Sequence, residues 1–391
     1  MQKQAARTRF PLMALAGISL LSALWAGLVR LGWQWPASGL LPAGDHGAFM
    51  VSGFLGALIS LERAVALRQN QAYSRRGVAQ ASYDTRLYYL APLFAAAGSL
   101  ALVLGLPPLL GRAAIALAAL LLSLLFVVIY RLQPIAANAT MALGAASWLV
   151  GNLLWLAGHP PAHAVPWWAA FLVLTIVGER LELARVLFWA STARRLFKAA
   201  VVILAGGLSL SLILFDAGVR ICGVGLILLA AWLLRYDLAR RTIRRQGLTR
   251  FIAACLLPGF VWLGLGGLLW LWFGGRRLAG PSYDAMLHTI FLGFVFSMIF
   301  GHAPVIIPAV LRVAVPYRPL YYGHLLLLHL SLAVRVVGDL LWVPVLRRWG
   351  GLLNGAAILL FLAVTLAPSS QLRRLIPRSR PTASSDQEAP A

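Results

Sequence analysis

The sequence predicts an all-α integral membrane protein, with twelve transmembrane helices in three pseudo-repeated four-helix arcs. Three observations predict it. The 391 residues are 61% hydrophobic, whereas soluble domains sit nearer half. The apolar residues gather in runs of roughly 20, the length that spans a hydrocarbon core. Basic residues crowd the loops on one side of those runs. Backbone groups in lipid must be satisfied within the segment, so the runs read as helices. None shows the period-2 alternation of a membrane barrel.

The first span, 10–30, follows the basic start "MQKQAARTRF". Its apolar part is too long for the core of a cleaved signal peptide. The second, 46–67, opens at His46 and carries Glu62 and Arg63 near its end. The third and fourth, 87–106 and 112–131, make a tight hairpin, and the fifth is 137–157. Before the sixth, 165–190, comes "GHPPAHAVPWW". There Pro160 and Pro161 break any helix between His159 and His163, so a structured outer loop with interfacial tryptophans is expected. The seventh and eighth, 198–215 and 219–235, form a second tight hairpin. The ninth is 250–273. The tenth, 283–311, holds "MLHTIFLGFVFSMIFGH", and 320–342 and 345–368 complete the set. Residues 1–370 are one membrane domain. The tail 371–391, ending "SRPTASSDQEAPA", is polar and expected to be disordered.

The formal net charge of +23 is a matter of topology. All but eight of the 34 Lys and Arg fall in the two tails and the loops from even to odd spans. The eight are Arg30, Arg112, Arg220, Arg276, Arg277, Arg335, Arg347 and Arg348. This positive-inside bias puts both termini in the cytoplasm of a multi-pass protein, expected in a bacterial inner membrane. The partner is the lipid bilayer, and no nucleic acid is expected. Cys222 and Cys255 both lie within spans, which argues against a disulfide framework or a Cys-based metal site.

Three stretches align. "HGAFMVSGFLGALISLERAVAL" begins at His46, "HAVPWWAAFLVLTIVGERLELARVL" at His163, and "HTIFLGFVFSMIFGHAPVIIPAVL" at His288. Glu62 and Glu179 each follow their histidine by 16 residues; the third stretch has Pro304 at that offset. The steps are 117 and 125 residues, four spans each, which preserves orientation and suits parallel repeats. Coincidence between apolar sequences is the alternative.

His46 and His288 both begin helices running from outside to inside, at similar depth. Neutral imidazole is a common axial ligand to iron, and two histidines on facing helices suit a b-type haem. The plainer reading is two interfacial histidines at helix ends. Arg347 and Arg348 lie outside, against the charge bias, where guanidinium groups bind haem propionates; an ordinary basic loop is the alternative. On the inner half, Glu62, Glu179, His302 and His324 form a candidate proton relay or inner polar site, or else structural ion pairs. Arg63 and Arg180 are expected to reach neighbouring repeats. His288 and His302 are 14 apart, close to four helical turns, so a regular α-helix puts them on one face. His324 and His329 are five apart and form no chelating pair. Arg335 and Asp339 are expected to pair at i,i+4.

Taken together, the spans, the arcs, His46, His288, Arg347 and Arg348 resemble subunit I of the haem-copper oxidase superfamily. That resemblance implies a low-spin haem b held by His46 and His288, with propionates on Arg347 and Arg348. The sixth and seventh spans hold no histidine, so copper at an oxidase-type site is not expected. Met286 stands where the oxidases carry a second histidine, two before His288. "HGAFMVSGF" and "MLHTIFLGF" are similar to NnrS-type twelve-helix haem membrane proteins, although Ala48-Phe49 replaces their usual His-Glu. This resemblance implies redox chemistry or nitric oxide-related metabolism, with a quinol or cytochrome as electron donor. A cofactor-free proton- or ion-coupled transporter using the inner Glu and His residues is the rival.

Overall fold

The computed structural model describes residues 2–34, 43–74, 87–184, 190–311 and 315–366. The tail at 371–391 and the end of the sixth span lie outside the described residues, as do Arg185 and Arg312. The described chain is helical throughout. Helix α1 is Gln2–Arg30. Helix α2 has three runs: α-helical His46–Ala48, π-helical Phe49–Gly56 and α-helical Ala57–Ser74. There follow α3 (Leu90–Val103), α4 (Pro108–Leu132), α5 (Ala136–Leu156), α6 (Pro161–Leu183), α7 (Ser191–Ser211), α8 (Phe215–Tyr236) and α9 (Gly247–Phe273). Helix α10 again has three runs: Pro281–His288, a π-helical Thr289–Phe296 and Ser297–Leu311. Helices α11 (Tyr321–Leu340) and α12 (Pro344–Leu366) end the described chain.

Ten helices among the described residues are long and apolar enough to cross a membrane. Helix α3 is shorter, and α7 opens with Arg194, Arg195 and Lys198. Neighbours in sequence pack as pairs: α3 on α4, α5 on α6, α7 on α8, α11 on α12. Helix α12 returns to α1. Three helices sit inside this sequence of contacts. In α6, 83% of the most apolar window is buried, and in α2 and α10 67%, against 33–56% in the other seven. These are the helices that carry Glu62, Glu179 and His302.

The sequence misplaces the start of α6. Pro161 opens the helix rather than delaying it, because the first helical position has no intrahelical use for its N–H. His163 therefore lies in the first turn of α6, against the Phe215 ring at 4.4 Å, and not in an outer loop.

The two π-helical runs are the main irregularity, and such turns often mark functional sites. Phe49–Gly56 and Thr289–Phe296 stand 240 residues apart, as do Gly53 and Gly293, and Glu62 and His302. The glycines admit close neighbours. A Cβ on Gly293 would lie 2.5 Å from Trp262 Cβ, and one on Gly53 2.8 Å from Ser19 Oγ. Phe54 and Phe296 stack between the runs, with centroids 6.3 Å apart. The π run lies between His288 and His302, so the regular α-helix on which their one-face expectation rests is interrupted.

Candidate functional site

His46 is the first residue of α2, and His288 closes the first run of α10. Their ring centroids are 6.3 Å apart, with planes tilted by 31°. His46 Nδ1 lies 2.6 Å from the Ala23 carbonyl oxygen, and His288 Nδ1 2.9 Å from that of Asp284. A carbonyl only accepts, so each Nδ1 carries the proton and each Nε2 keeps its lone pair. Gly27 on α1 makes room for the first ring: a Cβ there would lie 2.8 Å from His46 Cε1.

Both rings line two adjoining cavities of about 680 and about 110 Å³. The smaller is walled by Leu24, Met50, Phe291, Phe296 and Ile358, and by Gly351 and Gly355 of α12. A Cβ on Gly355 would meet nothing within 4 Å. The larger is ringed by charge, from Arg30, Asp45, Asp284, Arg335 and Arg347.

The arginines differ from expectation. Arg347 lines the larger cavity, but Arg348 is exposed, with Nη2 donating to the Gly32 carbonyl at 3.1 Å and its guanidinium 4.9 Å from the Trp33 ring. Arg335 does not pair with Asp339 as expected. It donates twice to Asp284, at 2.7 and 2.9 Å, while Asp339 ion-pairs with Arg347 at 3.0 Å. A buried carboxylate facing a guanidinium across two helices can take it bidentately. An Asp four residues after an Arg is the weaker order along a helix.

At the end of the bundle away from His46 and His288, Arg63 bridges two helices. Its Nε lies 2.9 Å from Glu62, and Nη2 donates to Glu179 of α6. Arg63 thus reaches the neighbouring stretch as expected, and also its own sequence neighbour. Arg180 instead donates to Asp237, at 2.9 and 3.0 Å, just past α8. Asp237 also accepts from the Ala239 N–H at 2.7 Å. His302 holds the Met298 carbonyl through Nδ1 at 2.6 Å, and its Nε2 is buried without a hydrogen-bond partner. The charges of Glu179, Arg180 and Asp237 act on it. His324 stays apart from this group. It is buried against Phe300, Phe361 and Tyr321, with no polar partner for either nitrogen. His329 receives the Trp262 indole N–H at 3.0 Å. Among the described residues, no group of three or more His, Cys, Asp and Glu is arranged to hold a metal ion.

One family model, described as a domain of unknown function (DUF8744), matches residues 9–370. The chain belongs to the DUF8744 family. No curated protein matches it. The DUF8744 match takes in both ends of the site, from Ala23 to Gly355.

In this DUF8744 chain, the sequence pointed to His46, His288 and Arg347 but missed Asp284 and Arg335. A signal was available. Asp284 is four residues before His288, on the same helical face, and the whole chain has only 11 acidic residues.

Proposed function

We propose that this protein binds one b-type haem between His46 and His288 and serves redox or nitric oxide-related metabolism in the membrane. The spacing of the two imidazoles carries the reading. One metal ion held by both histidines would need their ring centroids separated by two metal–nitrogen bonds of about 2 Å plus the depth of each ring, roughly 6 Å. The observed 6.3 Å meets that, with both Nδ1 atoms tied back to carbonyls. That second contact is what orients a metal-bound histidine.

The residues present fit the group. The smaller cavity offers an apolar bed, and Gly355 leaves it open where any side chain would intrude. Arg335 and Arg347 face the larger cavity, where propionates would gain bidentate partners. Arg335 takes the place that the resemblance gave to Arg348. When bound, a haem with two imidazole ligands supplies one-electron transfer. The protein's part is to hold the rings, fix their tautomers and balance the propionate charge. The donor would be a quinol or a cytochrome.

The same reading takes the architecture as twelve spans in three arcs, like subunit I of the haem-copper oxidases and nearest to NnrS-type proteins. Three innermost helices bearing the repeat residues support it. Both termini would be cytoplasmic, by the charge bias. A proton- or ion-coupled transporter is the second reading. It is favoured by two carboxylates sharing one guanidinium at Arg63, beside the unpartnered Nε2 of His302. The visible spectrum of protein purified after expression with ample haem separates them. A Soret band that His46→Ala or His288→Ala removes or converts supports the first, and its absence favours the second.

A further inference from the structure

Asp284 stands one turn before His288 on α10 and meets the imidazole twice. Its carbonyl accepts from Nδ1 at 2.9 Å, and its carboxylate Oδ1 lies 3.4 Å from the same nitrogen. Arg335 grips that carboxylate with two hydrogen bonds, and Arg347 comes within 3.8 Å of it. Behind His46, among the described residues, the hydrogen-bond partner is the Ala23 carbonyl. The two rings are alike in spacing and tautomer but unlike in what backs them. Asp339, also in this corner, touches Arg347 at 3.0 Å and interacts with the Asp284 carboxylate, while the carboxylate beside His288 among the described residues is that of Asp284.

We propose that Asp284 is the positioning residue of the outer site: it joins His288 to the propionate-side arginines and lowers the reduction potential of a haem bound between His46 and His288. This rests on the haem reading above. A carboxylate behind Nδ1–H makes the imidazole a stronger donor to the metal. A stronger donor and a nearby negative charge both favour the oxidised iron, and hydrogen bonding and charge around the ligands are the levers that set such potentials. Asp339 shares the field but lacks the contact, so its effect is smaller. Removing Asp284 also leaves Arg335 uncompensated beside the site, which moves the potential in the same upward direction.

A spectroscopic redox titration of haem-loaded wild type, Asp284→Asn, Asp284→Glu and Asp339→Asn tests this. The expected result is a higher midpoint in Asp284→Asn with a two-imidazole spectrum retained. Asp339→Asn should shift less, and Asp284→Glu should return toward wild type. An unmoved midpoint in Asp284→Asn, or an equal shift in Asp339→Asn, overturns the role of Asp284 while the haem reading stands. A wild-type protein that takes up no haem overturns both. If Asp284→Asn yields no folded protein, Arg335→Gln carries the test. Without Arg335 the carboxylate keeps only the more distant Arg347, at 3.8 Å, as counter-charge, so the midpoint should fall, and an unmoved midpoint overturns the proposal.

Discussion

The carbonyls behind His46 and His288 commit each Nδ1 and leave each Nε2 free, which is what the proposed haem site requires. Truncating either ring should therefore abolish or convert a low-spin spectrum, and His163→Ala should leave it intact. The arginines should part in the same assay. Arg347→Ala should weaken haem retention, while Arg348→Ala should change it little, since Arg348 faces Trp33 and Gly32. At the inner end the single and double variants should differ. Glu62→Gln leaves Arg63 with Glu179, and the cost should stay within about 1 kcal/mol, the range of partly exposed pairs. Glu62→Gln with Glu179→Gln strands a mostly buried guanidinium, and the loss should reach roughly 3–5 kcal/mol. Thermal unfolding in detergent reads both. Equal, small losses would mean that Arg63 finds its partner elsewhere.

Helices α2 and α10 show where sequence reading reaches its limit. Their extent and their histidines follow from apolar run length and from the rarity of polar residues within it. The π runs do not, because "FMVSGFLG" and "TIFLGFVF" are as compatible with an α-helix as with the wider turn. Their wider turns carry Gly53 and Gly293, whose close neighbours are Ser99, Ser19 and Trp262 on other helices, and sequence spacing does not show those. Arg335 was misassigned for a similar reason. Sequence spacing sees partners along one helix, and the partner that won lies on another. Helix α12 offers a clean test of the cavity. Gly355→Ala points a methyl into open space and should stabilise the haem-free protein by about 0.5–1 kcal/mol, the usual helix preference over glycine. Gly355→Leu should fill that space and block haem uptake while the fold survives. Gly293→Ala should behave oppositely and destabilise by about 1–3 kcal/mol, because Trp262 must move. Melting curves and haem titration of these three variants check the contrast.

Across the whole molecule, orientation decides which end of the bundle is the outer site. Cys222 and Cys255 are buried, so single cysteines introduced at exposed Ala157 and Gln246 report cleanly. Gln246→Cys should react with an impermeant reagent only from the cytoplasm, and Ala157→Cys only from outside. The reverse pattern would put the His46–His288 cavity at the inner face. The Arg63 cluster draws its polar residues from α2 and α6, with Arg180 paired to Asp237 past α8, and the His46–His288 cavity draws its own from α2, α10, α11 and α12. A cofactor held by His46 and His288 would join two of the three most buried helices, α2 and α10. The most direct measurement is the visible spectrum of the wild-type protein purified with haem in excess, beside that of His46→Ala. A Soret band with low-spin α and β bands in the wild type, lost or converted in the variant, is the expected result. A haem-free wild type, or a spectrum identical in both proteins, would contradict axial ligation by this pair.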